Sequence, residues 1–147
     1  MRIYIDTSVI GGFYDKEFEE ATIELFKKVE KGDITLIVSE LLEAELLRAP
    51  VHIRNHLDKY SKKQIEKVEL TEEAKVLADR YIEEQVVSKT SKADCQHIAI
   101  ATIYKVDVLV SWNFKHIVNL KRIRGYNSVN LKHSYTMLEI RTPKEIL

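Results

Sequence analysis

Residues 1–13 read MRIYIDTSVIGGF. Arg2 to Ile5 make a short run suited to a buried strand, and the run stops at an ionisable Asp6 with two hydroxyls, Thr7 and Ser8, directly behind it. A carboxylate at the end of a buried strand is costly unless it is paired, hydrogen-bonded or holding a metal. Taken alone, Asp6 could equally be a turn-forming residue after a strand. The rest of the chain decides between these readings.

Outward from this stretch, helical and strand patterns alternate. After the strand at 2–6 come a helix over about 16–31, a strand at 34–39 (ITLIVS) and a helix from Glu40 to Arg48, which Ala49-Pro50 should end. HIRNHLDKY is helical, KVEL (67–70) is a short strand, and Thr71-Glu72-Glu73 opens a helix through Glu84. Ser91 caps the helix ADCQHIAIATIY, VDVLVS (106–111) is a buried strand, and MLEI (137–140) is a last strand after a helical segment. Such alternation predicts an α/β fold, a three-layer α/β/α sandwich with a mainly parallel sheet. Ligands of such sheets bind beyond the carboxyl ends of the strands, where Asp6 and Asn113 both fall.

No linker or repeat divides the chain, so residues 1–147 are expected to form a single domain. With 45% hydrophobic and 31% charged residues, the composition is that of a globular protein. No apolar run is long enough to span a membrane and no signal peptide is visible, so a cytoplasmic protein without a membrane partner is expected. Cys95, the only cysteine, excludes an internal disulfide and fits a reducing compartment; with no activating base in view it reads as core. Zinc-finger spacing and glycine-rich phosphate loops are absent.

The formal net charge of zero hides an asymmetry. Residues 1–110 carry 16 Lys and Arg against 21 Asp and Glu, whereas residues 111–136 carry five basic residues and no acid. Lys121, Arg122 and Arg124 lie in that arm and point to an anionic partner, although a solvated helix face would look the same. Trp112, Tyr126 and Tyr135 could stack on bases or pack against the sheet.

Two further acids stand out. Glu45 shares its helical face with Leu41, Leu42, Ala49 and Val38, whereas Glu43 lies on the solvated side. Asp94 falls in the first turn of its helix, where the dipole favours an anion. Each has a plain alternative: Asp94 as a capping acid for Ser91, Glu45 as a partner for Arg48. Together, three elements deliver an acid toward one sheet edge, and such a cluster repels itself unless a hard cation neutralises it. Mg²⁺ or Mn²⁺ is the expected counter-ion. His97, three residues after Asp94, could hold a carboxylate or phosphate or serve the core, and His116 could contact RNA or cap a helix.

IDTSVI, EAELLRA, ADCQHIAIAT and VDVLVSWNFKHI, in this order over residues 3–118, resemble the PIN-domain nucleases, closest to the VapC-like toxins of toxin–antitoxin pairs. The resemblance implies a metal-dependent endoribonuclease with acidic ligands at Asp6, Glu45 and Asp94. It places Asn113 where the family usually has an acid, and Ser8 where a hydroxyl often lies near the metal. It also implies an antitoxin partner, often a homodimer, and single-stranded or looped RNA as substrate. The amide oxygen of Asn113 can still ligate a metal or hold its water and so assist catalysis, but it brings no charge, which leaves room for a catalytically weak or inactive binding module. A haloacid-dehalogenase-like phosphotransferase is a further alternative, but it expects an Asp two residues after Asp6, where this chain has Ser8.

Overall fold

In the computed structural model, which describes all 147 residues, five strands form one sheet: β1 (Arg2–Ile5), β2 (Thr35–Ser39), β3 (Ile65–Val68), β4 (Val108–Val110) and β5 (Ile140–Arg141). Their order is β3-β2-β1-β4-β5, and every neighbouring pair is parallel. Parallel neighbours need crossover connections. Helices α1 (Thr7–Gly12) and α2 (Glu19–Glu30) join β1 to β2, and α3 (Glu40–Leu46) and α4 (Val51–Arg54) join β2 to β3. Then α5 (Glu72–Glu83) and α6 (Lys92–Ile103) lead to β4, and α7 (Leu120–Lys132) leads to β5. No helix is long and apolar enough to cross a membrane.

Strand side chains alternate between the two faces of the sheet. Ile3, Ile5, Leu36, Val38, Val108 and Val110 pack with Val9, Leu25, Phe26 and Leu42 of the first three helices. Tyr4, Ile37, Leu109 and Ile140 pack on the other side with Leu77, Tyr81, Ile98 and Tyr126 of α5, α6 and α7. Both faces are covered, and the expected three-layer α/β/α arrangement with a parallel sheet is what the chain forms. Cys95 lies fully inside the second cluster, and burial pushes its thiol up to about 12.

Local departures from the sequence reading have local causes. α1 is a six-residue helix that the sequence does not announce, because it is too short for a period and ends in two glycines. α2 starts at Glu19 rather than near residue 16, since Asp15 accepts from the Glu17 and Phe18 amides in a turn. β3 and β5 sit two or three residues from their expected positions, set by pairing with β2 and β4. Thr71 caps α5 by accepting from Ala74 N, but Ser91 makes no such bond at α6 and its buried hydroxyl has no partner.

Two packing features carry predictions. A Cβ on Gly12 would lie 2.7 Å from Trp112 Nε1 and 2.9 Å from Thr22 Oγ1, so α1 can approach the indole only because Gly12 has no side chain. Gly12→Ala is expected to cost about 1–3 kcal/mol in urea unfolding, with the fold retained. Elsewhere, His56 is fully buried between two phenols, with Nδ1 2.7 Å from the Tyr14 hydroxyl and Nε2 2.9 Å from the Tyr60 hydroxyl. A neutral ring satisfies both, donating to one oxygen and accepting from the other. Burial, with Lys59 nearby, lowers the pKa of His56 to about 4. The unfolded chain takes this proton near the usual 6.5 and the folded chain does not until about 4, so stability is full above 6.5 and falls between those values. Relative to His56→Gln, the wild type should lose on the order of 2–3 kcal/mol across that window, measured by denaturant melts at stepped pH.

Candidate active site

Register decides what meets at the carboxyl edge of the sheet. Ile5 pairs with Val110 and Tyr4 with Ile37, so the next positions bring Asp6 level with Ser111 on one side and Ser39 on the other. β1 connects to β2 on one flank and pairs with β4 on the other, so Asp6 stands at the switch point where such sheets bind ligands. Its side chain is only 5% exposed, and both oxygens are engaged. Ser8 Oγ donates to Oδ1 at 2.5 Å and Ser111 Oγ donates to Oδ2 at 2.7 Å. Ser8 in turn accepts from Trp112 N at 2.9 Å, and Ser111 accepts from Asn113 N at 2.9 Å. Burial raises the Asp6 pKa, and the charge of Glu45 adds to the rise; His97 and the two hydroxyls offset only part of it.

Glu45 projects from α3 into this edge. His97 Nε2 lies 2.6 Å from its Oε1, and Thr7 Oγ1 donates to the same oxygen at 3.0 Å. A carboxylate only accepts, so His97 carries a proton on Nε2. On the other side of the ring, Nδ1 is 2.5 Å from the Tyr4 hydroxyl, which donates to Ser39 Oγ at 2.9 Å; Ser39 also accepts from Leu42 N, capping α3. His97 is 2% exposed, so a buried line of polar groups runs from the cap of α3 through Tyr4 and His97 to Glu45. Burial alone would raise the Glu45 pKa, but the bond and charge of His97, with the Thr7 bond, outweigh it and lower it. Arg48 takes no part, and Glu43, the solvated acid, pairs with Lys67 at 3.7 Å.

Asp94 enters from the first turn of α6. Its capping alternative fails, since Ser91 makes no side-chain cap. Burial raises the Asp94 pKa, His116 and His97 oppose the rise, and the charges of Asp6 and Glu45 add to it. Asn113 follows β4, and its amide orientation is fixed by the backbone: Oδ1 accepts from His116 N at 2.9 Å and Lys115 N at 3.2 Å. Its Nδ2 is therefore the group facing Asp94, 3.5 Å from Oδ1. Asn113 presents a donor to the acidic edge, with its oxygen turned into the 113–116 turn.

Asp6 and Asp94 thus sit in an oxygen-lined, partly desolvated edge, each held up by burial and by neighbouring negative charge, and no Lys or Arg side chain bonds either of them. This donor set fits a hard divalent cation. No three His, Cys, Asp or Glu side chains converge closely enough to chelate an ion as they stand. A cation here would lean on one or two carboxylates and on water, as Mg²⁺ does. Sequence reasoning singled out the Thr7 hydroxyl without its bond to Glu45 and missed Ser111 and Tyr4; of those two only Ser111, at the end of a buried strand, carried a usable signal.

The remaining candidates lie outside this edge. Lys121 and Arg124 are exposed on α7 and form no ion pair, whereas the Arg122 guanidinium donates to Val86 O. Tyr126 is fully buried and donates to His116 O at 2.7 Å; Trp112 stacks on Phe18 with ring centres 4.4 Å apart; Tyr135 donates to Glu73. A cleft of about 570 Å³ lies elsewhere, walled by Leu46, Leu57, Tyr60 and Ile65, and includes none of the edge carboxylates.

Comparison with known proteins agrees with the fold. The crystal structure of VapBC2 from Rickettsia felis, bound to a DNA fragment from their promoter, superposes with a TM-score of 0.56 at 12% identity, over 95% of this chain and 98% of that chain, a likeness of fold. No curated protein matches the chain. The family model of the PIN domain matches residues 3–115, which include Asp6, Glu45, Asp94 and Asn113. The chain belongs to the PIN domain family, whose members are generally nucleases.

Proposed function

We propose that this chain is a Mg²⁺- or Mn²⁺-dependent endoribonuclease that cuts single-stranded or looped RNA in the cytoplasm. We read it as the toxin of a toxin–antitoxin pair, with a small antitoxin and a second copy of itself as partners. The observation that carries the reading is that Asp6, Glu45 and Asp94, from three separate elements, lie near enough at the carboxyl edge of a PIN fold for the charges of Asp6 and Glu45 to act on Asp94. The toxin reading is supported by the likeness of fold to VapBC2.

In this reading Asp6 and Asp94 hold the cation. When bound, it stabilises negative charge on the phosphate and makes water more acidic. Ser8 and Ser111 keep the Asp6 carboxylate fixed through their hydroxyls. His97 and Thr7 fix one oxygen of Glu45, leaving the other to accept a proton from a water aimed at phosphorus. Attack in line with one ester bond breaks that bond, and the departing oxygen takes up a proton from solvent. Asn113 turns its NH₂ toward Asp94. Lys121, Arg122 and Arg124 attract the RNA backbone, and single-stranded RNA exposes the phosphates and bases that such a site reaches.

One observation favours a second reading. The oxygen of Asn113 is turned away from the acids, so the edge carries three carboxylates where the family usually has a fourth acid, and a weakly active binding module would look the same. Mn²⁺ titration by calorimetry followed by RNA cleavage separates the two.

The protein should cleave RNA with Mg²⁺ or Mn²⁺ and stop in EDTA, and Asp6→Asn or Asp94→Asn should lower the rate by at least about 10²-fold. Undiminished cleavage by Asp6→Asn, in preparations checked for contaminating nuclease, would sink the assignment. In EDTA, Asp94→Asn should melt at the same temperature as the wild type or up to a few degrees higher, because a repelling charge is removed, on the order of 1 kcal/mol. A clear drop in the midpoint would mean that Asp94 is held for the fold and not for a cation.

A further inference from the structure

A recess of about 530 Å³ opens between the end of α5 and the start of α7, beside the acidic edge. Its wall includes Gln85, Ser88, Lys89, His116 and Arg122, with Ile82 supplying an apolar patch, and it contains no acid. That is unusual here, since residues 1–110 are acidic in balance. Lys89 and Arg122 form no ion pair, so both cations face the recess without a carboxylate to neutralise them.

The recess is built and held. Gln85 adopts φ 62, a left-handed conformation that few side chains favour, where the chain leaves α5. The Arg122 guanidinium donates to Val86 O, which pins the loop to α7 and leaves most of its N–H groups free. Gly125 lets the same helix close on Val86, whose Cγ1 would lie 2.7 Å from a Cβ at that position. His116 forms the partition with the acidic edge: its backbone N–H donates to Asn113, whose amide faces Asp94. His116 Nδ1 is buried without a partner, so Nε2 is the ring nitrogen left to serve the recess.

We propose that this recess is a nucleotide subsite that holds the RNA phosphate next to the one being cut, with Lys89, Arg122 and His116 as its donors and Ile82 against the sugar or base. The proposal rests on the ribonuclease reading. A strand crossing the acidic edge brings further phosphates with it, and those cannot rest on carboxylates; an acid-free, cation-lined recess walled by His116 receives the next. Its volume lies within the range of small-ligand sites. Lys121 and Arg124, exposed on α7 outside the recess, add only long-range attraction.

The test is binding of a fluorescein-labelled single-stranded RNA oligonucleotide to the full chain in EDTA, followed by anisotropy across a salt series. Lys89→Ala should weaken binding about three- to tenfold and flatten the slope of log affinity against log salt by about 0.7, the value for one lost single-strand phosphate contact. Lys89→Glu should weaken it further, His116→Ala should weaken it with the slope kept, and Lys63→Ala, in the turn directly before β3 and outside the recess, should match the wild type. Unchanged affinity and slope in both Lys89 variants overturns the subsite, as does a short acidic peptide that binds the wild type at Lys89 while RNA does not. With Mn²⁺ the two readings part. Lys89-dependent binding without any cleavage removes the nuclease and leaves the subsite; cleavage with KM indifferent to Lys89 does the reverse.

Discussion

Folding draws the Asp6 carboxylate almost wholly out of water at the centre of the sheet and surrounds it with hydroxyls, not with a cation. Ser8 and Ser111 lower the cost of that burial without cancelling the charge, and Glu45 and Asp94 add to the negative field. The other constraints at the edge follow from keeping this group in place. Ser111 must end β4 in register with it, Ser8 must accept from Trp112 N as well as donate to Asp6, and α1 must lie against the Trp112 indole, which Gly12 permits.

How much of this was legible depended on range. The alternation of strand and helix, the two covered faces and the position of Asp6 at a strand end follow from patterns within ten or twenty residues. The line from Ser39 through Tyr4 and His97 to Glu45 joins positions 35, 93 and 52 residues apart, and no spacing in the sequence reveals it. A histidine on the face of a helix of small residues is ambiguous until the fold supplies a carboxylate at 2.6 Å. Asn113 was a different case. Asn side chains often accept from backbone amides two or three residues on, so the turn of its oxygen into WNFKH had a local signal, although the likeness to an acid position directed attention to the amide as a ligand.

That orientation changes what Asn113 contributes. Its NH₂ brings a partial positive charge to Asp94 where an acid would bring a full negative one, so the edge carries less repulsion. The same residue holds His116 by its backbone, and His116 walls the recess that lies away from the acids. One side chain therefore separates a negative compartment from a positive one, and a polyanion lying across both would meet repulsion and attraction in turn.

The central position of β1 also sets an order of events during synthesis. β1 leaves the ribosome before its neighbours in the sheet, so one flank waits for β2 and the other for Val108–Val110, a hundred positions later. Until then its second edge has no partner, Asp6 lacks Ser111, and nothing stands opposite Asp94 where Asn113 will be. Pairings of such sequence separation form slowly and late. A chain that has grown only as far as residue 100 thus has most of these helices and three of these strands but no assembled acidic edge, so whatever chemistry that edge performs is withheld until β4, Ser111 and Asn113 have followed.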